Sequence, residues 1–193
     1  MSKHLWLPAV FIGLFSLSPV VFAAHATWSW QNPAIKDAGA MVPLANGIFQ
    51  PDKTTIYKAV FSVTHFDAKH PGDPDGGLEP VARAVNVFAS AGVALSHLKF
   101  VVIIHGEATP IVANNASFKK EYHVDNPNLK VIQELEAAGV EVAVCGQAVA
   151  SLNYGMGKDA KDYTWVDPDV KIALSALSTM IILQHDGYVL MPL

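Results

Sequence analysis

The sequence predicts one α/β domain, a three-layer α/β/α sandwich with a mainly parallel sheet of about five strands. Two observations carry this prediction. Short apolar runs alternate along the chain with amphipathic segments, and such alternation needs crossover connections that cover both faces of a parallel sheet. The chain has 193 residues, of which 51% are hydrophobic and 16% charged. That composition suffices for a core and excludes a disordered chain.

Residues 1–23 are typical of a secretory signal peptide. Lys3 and His4 precede an apolar run over residues 5–21, and small residues fit cleavage after Ala23. A membrane anchor is the alternative, but the run is shorter than the ~20 residues of a spanning helix. We therefore expect a periplasmic or secreted protein without a membrane span after cleavage.

The first half of the remaining chain predicts an arm, a strand, a helix and a second strand. Prolines and tryptophans interrupt every regular period over residues 24–55, which predicts an extended arm. The domain, residues 56–193, opens with a β-branched and aromatic strand over residues 56–63. Apolar residues at helical spacing from Leu78 to Phe88 predict an amphipathic helix, and residues 100–104 predict a strand.

The second half continues the alternation. Asn126 and Pro127 predict a helix start, and Gly139 its end. The elements predicted after that helix are a strand over residues 140–145, a short helix from Gly146, a strand over residues 170–174, a helix over residues 176–185 with Ser175 as N-cap, and a strand over residues 188–191. The loop over residues 106–125 is long enough for an added short helix or an active-site cover.

Charge and cysteine content limit the classes of function. Lys and Arg number 13 against 17 Asp and Glu, and no basic stripe is present. Nucleic-acid binding is therefore disfavoured. Cys145 is the one cysteine of the chain and cannot form an internal disulfide. Core packing must stabilise the fold.

The carboxyl ends of the predicted strands collect the candidate catalytic residues, because ligands of open parallel sheets bind there. Cys145 ends the third strand, where a neighbouring helix N-terminus favours the nucleophilic thiolate. The alternative is a small buried hydrophobe. His105 follows the second strand and is expected to orient or protonate the thiol, with a backbone-satisfied histidine as the alternative.

The candidates for ligand binding near this edge are Gly106, Asn114, His123, Gly146 and Gln147. Gly106 permits close approach of a ligand, and the 106–125 loop offers polar side chains such as Asn114 and His123. The side chains that would form a metal site are His65, Asp67, His70 and His123. A loop rich in Pro, Gly and Asp collects such residues by chance, so no metal site and no cofactor are predicted.

Four segments occur in a familiar order: TIYKAVFSVT, KFVVIIHGEA, NPNLKVIQELEAAGVEVAVCGQAVA and VKIALSALSTMIILQHDGYVLM. From about residue 56 onwards, the chain resembles the DsrE/DsrF-like family of sulfur-metabolism proteins. The resemblance implies a parallel α/β fold, a homo-oligomer (trimer or hexamer), and carriage of sulfane sulfur as a persulfide in members that have the cysteine. Carried over to this chain, it implies that Cys145 bears the sulfur, that Gly146 and Gln147 shape its turn, and that His105 lies on the neighbouring strand.

These observations leave three hypotheses. The first is a periplasmic sulfur carrier or sulfurtransferase-like protein, with donor and acceptor proteins or small thiols as partners. The second is an oligomeric module that binds a small ligand or a partner, with a packed, non-catalytic Cys145. The third is a metal-binding protein that uses His65, His70 or His123.

Overall fold

The computed structural model describes residues 29–193, so the predicted signal peptide lies outside the described residues. Strands and helices alternate along this range. They are β1 (Tyr57–Val63), α1 (Leu78–Ser90), β2 (Leu98–Ile104), α2 (Asn115–Tyr122), α3 (Asn128–Ala137), β3 (Glu141–Cys145), α4 (Gly146–Gly155), β4 (Lys171–Ala173), α5 (Ala176–His185) and β5 (Val189–Pro192). Two 3₁₀ helices, Leu95–His97 and Gly106–Val112, flank β2.

The five strands form one parallel sheet in the order β4-β3-β2-β1-β5. The predicted fold class is therefore confirmed. Three successive crossovers step in one direction from β1 to β4, and the last returns across the sheet to β5. Because such crossovers are right-handed, the last connecting helix, α5, lies on the opposite face from the earlier ones.

The two faces of the sheet carry cores of unequal size. On one face, α1, α3 and α4 bury a large core against alternate strand residues such as Val102 and Val144. On the other face, α5 covers a smaller core that contains Val60, Ile103 and Cys145. The strands are apolar on both sides because both faces are covered, as is usual in parallel sheets.

The arm before β1 contains no helix within residues 29–56, and an isolated antiparallel bridge joins Gln31 to Met41. Ile35 and Ala38 are buried against α1. The fully buried Asn86 of α1 fixes this stretch: its Oδ1 accepts the N–H groups of Ala34 and Ile35, and its Nδ2 donates to carbonyls at residues 35, 38 and 39. The arm is thus attached through its backbone.

The long connection between β2 and α3 contains the added short helix α2. Helix α3 begins at Asn128 and its N-cap residue is Pro127, one residue after the predicted N-cap Asn126. Asn126 lies just before the cap, and its Oδ1 accepts the Asn128 N–H. The Asn126 Nδ2 also donates to the carbonyls of Ile111 and Ala113. A buried amide network therefore holds the connection against the domain.

The loop before α1 joins the same network, because Asn128 Oδ1 accepts the Asp75 N–H at 2.6 Å. Asp75 is buried; its Oδ1 accepts the Gly77 N–H, and its Oδ2 has no hydrogen-bond partner within the described residues. Burial raises the pKa of the Asp75 carboxyl above its ordinary value.

Across residues 29–193, no helix has the length and apolar character needed to cross a membrane.

Candidate functional site

The carboxyl edge of the sheet brings His105 and Cys145 to the same level on neighbouring strands. Ile103 pairs with Ala143 and Ile104 with Val144. His105 and Cys145 are the residues that follow these pairs on the two strands, so they lie opposite one another in the same register. Alternate residues of a strand face the same side. Both side chains therefore belong to the α5 face of the sheet.

Cys145 is a free, buried cysteine with 6% of its surface exposed. Its Sγ accepts a hydrogen bond from the Ala176 N–H at 3.2 Å. Ala176 is the first residue of α5, and N–H groups at a helix N-terminus favour negative charge. The sulfur thus receives its hydrogen bond from the N-terminus of α5. Cys145 is also the N-cap residue of α4, at the predicted strand-to-helix turn, but its side chain makes no capping hydrogen bond there.

The start of α5 is held at this position by its cap and by α4. Ser175 Oγ accepts the Ser178 N–H, as the sequence predicted for the N-cap. Gln147 Nε2 donates to the Leu174 carbonyl at 3.3 Å. A Cβ on Gly146 would lie 2.7 Å from the Ala173 carbonyl oxygen, so only glycine lets β4 approach α4 this closely. Gly146 and Gln147 therefore place the β4–α5 connection over the sulfur.

His105 is engaged with Ser62 of β1. The distance between His105 Nε2 and Ser62 Oγ is 2.9 Å, and burial lowers the pKa of His105, which favours the neutral ring at pH 7. No hydrogen bond joins His105 to Cys145 within the described residues. Ser62 was not among the predicted site residues. The signal that could have identified it is a serine near the end of an otherwise apolar strand.

Gly106 and Gln147 border one shallow hollow between the 3₁₀ helix Gly106–Val112 and α4. The hollow has a volume of about 400 Å³ and is also lined by Ala148, Ser151 and Leu152. Gly106 has a φ of +60°, in the left-handed region that glycine adopts without strain. Two of the predicted ligand-binding residues thus share a surface beside the Cys145 turn.

Two further predicted ligand-binding residues, Asn114 and His123, lie at the ends of α2. Asn114 is its N-cap: Oδ1 accepts the Ser117 N–H, and Nδ2 donates to the Thr164 carbonyl. His123 ends the helix in the left-handed conformation, and its N–H donates to the Lys119 carbonyl. Both residues have local backbone roles, and a ligand contact for either one stays a prediction.

The histidines of the loop after β1 pair with carboxylates. His70 Nδ1 lies 2.7 Å from Asp67 Oδ2, and His65 Nδ1 lies 3.9 Å from Glu107 Oε2. In the part of the chain that the structure describes, no group of three or more His, Cys, Asp or Glu side chains is placed to hold a metal ion.

Comparison with known proteins adds one family. The model of the DsrE/DsrF-like family matches residues 77–193, which include His105 and Cys145. A structure described as a protein of unknown function, MTH1491 from Methanobacterium thermoautotrophicum, is similar over 71% of this chain and 99% of its own, with 14% identity and a TM-score of 0.44. No curated protein matches the chain.

Proposed function

Because this chain belongs to the DsrE/DsrF-like family, we propose that it carries sulfane sulfur as a persulfide on Cys145. Membership of the family indicates a role related to sulfur metabolism, and the proposal assigns that role to one atom. The chain has a single cysteine, so any thiol chemistry of the protein takes place there.

The observation that carries the proposal is the hydrogen bond from the Ala176 N–H to Cys145 Sγ. An N–H at a helix N-terminus stabilises negative charge on the atom that it contacts, and the thiolate is the nucleophile in sulfur transfer. His105, whose pKa burial lowers, lies at the same level on the neighbouring strand, and we propose that it orients the thiol or exchanges a proton with it.

The transfer needs no external oxidant or reductant. The Cys145 thiolate attacks the outer, sulfane sulfur of a donor persulfide R–S–SH. The S–S bond of the donor breaks, a new S–S bond forms at Cys145, and the donor leaves as the thiolate R–S⁻. An acceptor thiolate reverses these steps by attacking the outer sulfur of Cys145–S–SH, which restores the Cys145 thiolate.

Access to the sulfur requires movement of the connection between β4 and α5, because the first turn of α5 covers Cys145 in the single chain. This connection is weakly held: β4 has three residues, pairs with β3 alone, and is tied to α4 by the Gln147 hydrogen bond to Leu174. Segments with few stabilising contacts open at low free-energy cost. We propose that donors and acceptors reach Cys145 through this opening.

We propose that the protein is exported, that residues 1–23 are removed, and that it handles sulfur in the periplasm. Its support is the apolar run over residues 5–21 with Lys3 before it. The mass of the protein isolated from a bacterial periplasmic fraction gives the cleavage site directly. A protein that stays in the cytoplasm at full length contradicts this part.

Intact-mass analysis tests the persulfide. Wild-type protein treated with polysulfide and desalted is expected to gain the mass of one sulfur atom, and the reductant dithiothreitol is expected to remove it. Cys145→Ser is the matched control, because it changes one atom and leaves the chain without a thiol. A wild-type protein that gains no sulfur under conditions that load a small thiol would refute the proposal.

A second function is favoured by the 6% exposure of Cys145, namely a binding module in which the cysteine is only packed. Alkylation by iodoacetamide separates the two. A carrier reacts in the folded state, at a rate set by opening of the β4–α5 connection, whereas a packed cysteine reacts only under denaturing conditions. A trimer or hexamer is expected for either function, and it stays a prediction.

A further inference from the structure

Ser62 is a buried polar residue in an apolar stretch of β1. Its neighbours Phe61 and Val63 belong to the large core, and Val60, on the same face of the strand as Ser62, belongs to the smaller one. Only 8% of the Ser62 surface is exposed. Removing a hydroxyl group from water in this way is unfavourable unless the hydroxyl makes a hydrogen bond. The partner of Ser62 is therefore what makes a serine tolerable at this position.

That partner is the ring of His105. Ser62 Oγ lies 2.9 Å from His105 Nε2 and makes no other hydrogen bond within residues 29–193. The backbone of His105 is also held by β1, because its N–H donates to the Val63 carbonyl at 3.0 Å. His105 is the N-cap residue of the 3₁₀ helix Gly106–Val112, but its side chain makes no capping hydrogen bond. The ring is thus bound to Ser62 and not to the helix that follows.

The direction of this hydrogen bond follows from the groups that are present. A serine hydroxyl has one hydrogen to donate, and a neutral imidazole has one nitrogen that donates and one that accepts. In the part of the chain that the structure describes, His105 Nε2 is the one acceptor that Ser62 reaches. If Nε2 carried the proton, the buried hydroxyl hydrogen of Ser62 would have no acceptor, which is costly. The favourable arrangement has Ser62 donating to Nε2 and the ring proton on Nδ1.

The second ring nitrogen of His105, Nδ1, has no hydrogen-bond partner among residues 29–193. Burial lowers the pKa of His105, so the ring is mostly neutral at pH 7 and the tautomer decides what Nδ1 can do. With the proton on Nδ1, this atom donates a hydrogen bond and cannot accept a proton. Such a donor suits a thiolate or a persulfide anion, because hydrogen bonds to charged groups are the stronger ones.

We propose that Ser62 is a positioning residue that fixes His105 as a hydrogen-bond donor, through Nδ1–H, to anionic sulfur at the carboxyl edge of the sheet. The identity of the sulfur rests on the proposed function. Of the two roles proposed there for His105, the ring orients and stabilises the sulfur and does not remove its proton. His105 and Cys145 lie at the same level and on the same face of neighbouring strands, so the donor and the sulfur belong to one side of the sheet.

Nitrogen-15 NMR of the histidine rings tests the positioning without any sulfur transfer, because the chemical shifts of the two ring nitrogens distinguish the tautomers. The signals that His105→Gln removes are those of His105. At pH 8 the wild type is expected to have the Nδ1–H tautomer, and Ser62→Ala is expected to give a mixture of both. Thr109→Val is the matched control, since it removes a buried hydroxyl that donates to the Gly106 carbonyl and not to His105. It should leave the tautomer unchanged.

The rate at which polysulfide loads Cys145 tests the consequence for sulfur chemistry. Opening of the β4–α5 connection leaves β1 and β2 in place, so we expect the donor to persist while the thiol is accessible. Ser62→Ala is expected to slow loading at pH 7 about tenfold, the effect of one hydrogen bond to a charged group. Ser62→Thr, which keeps the hydroxyl, should restore most of the rate. In a His105→Gln background, Ser62→Ala should have no further effect, because Ser62 acts through the ring.

Three results would each overturn the proposal: an Nε2–H tautomer in the wild type, a tautomer that Ser62→Ala leaves unchanged, or equal slowing by Ser62→Ala with and without the His105 ring. Circular dichroism checks that each variant is folded. A protein that has the expected tautomers but gains no sulfur refutes the persulfide, whereas the positioning of His105 by Ser62 is then still supported.

Discussion

Replacement of Asn86 by alanine is expected to release the arm from α1. The Asn86 side chain accepts two backbone N–H groups, from Ala34 at 2.9 Å and Ile35 at 2.8 Å. It also donates to three carbonyls at 3.0 to 3.1 Å. Asn86 and Ile35 are fully buried, so Asn86→Ala leaves the N–H groups of Ala34 and Ile35 and the carbonyl of residue 39 without this partner unless the arm moves into water. The carbonyls of residues 35 and 38 keep the hydrogen bonds from Asn32 Nδ2.

The expected loss of stability is about 4 kcal/mol, since each orphaned buried group costs about 1–3 kcal/mol and part of the arm regains water. A domain of this size has roughly 5–15 kcal/mol in total. If release of the arm costs less free energy than leaving the buried backbone groups without hydrogen bonds, the arm detaches. The loss of stability is then limited to the free energy with which the arm docks on the domain. Urea unfolding gives the loss, and trypsin cleavage after Lys36 reports detachment.

Arg83→Ala is the matched control on the same helix. Arg83 Nε donates to the Ala40 carbonyl at an exposed position, so its removal should cost less than about 1 kcal/mol because water replaces the side chain. An Asn86→Ala protein that loses no more stability than the control, with Lys36 equally protected from trypsin, would refute the assignment of Asn86 as the anchor of the arm.

Three further predictions follow from single atoms. Ala176→Pro deletes the N–H that reaches Cys145, at a first helical position that tolerates proline. Because that hydrogen bond helps to hold the first turn of α5 over the sulfur, folded-state alkylation of Cys145 should become about fivefold faster, the equivalent of ~1 kcal/mol in the opening equilibrium, whereas Ala176→Gly, which keeps the N–H, should change the rate less. Because burial raises the pKa of Asp75, the folded state binds the proton more tightly than the unfolded state, so stability falls as pH rises from the unfolded-state pKa through the folded-state pKa. Asp75→Asn should remove this loss. In urea unfolding from pH 3 to pH 8, the free energy of unfolding of the variant relative to the wild type should increase through that pH window and stay constant above it. Gly146→Ala places a Cβ 2.7 Å from the Ala173 carbonyl oxygen and should lower the thermal unfolding temperature by several degrees, the shift that ~1 kcal/mol produces in a domain of this size; an unchanged temperature would contradict the close approach.

Local sequence patterns predicted most of the elements. The apolar run before His105 and the caps Ser175 and Gly139 define elements through neighbours in sequence, and the structure has the corresponding strand and helices. The alternation of elements also indicated a parallel sheet, because few other arrangements cover both faces. The added helix α2 was one of two alternatives for the long loop.

The candidate site was less predictable because it depends on strand order. The carboxyl edge was identified from the strand ends, but the N–H at Cys145 comes from Ala176, which follows a different strand. The pairing of His105 with Ser62 likewise joins the ends of two neighbouring strands, β2 and β1, that are far apart in the sequence. Such contacts follow from which strands are neighbours, and no local period encodes that order.

The position of β5 beside β1 has a consequence for the order of assembly. Ala59 pairs with Val189, and the Leu193 N–H donates to the Ser62 carbonyl, so one long side of β1 stays unpaired until the far end of the polypeptide arrives. Closing so long a loop is entropically costly and slow compared with forming local contacts. Until then that side of β1 is an unpaired strand edge, with which another chain can form backbone hydrogen bonds.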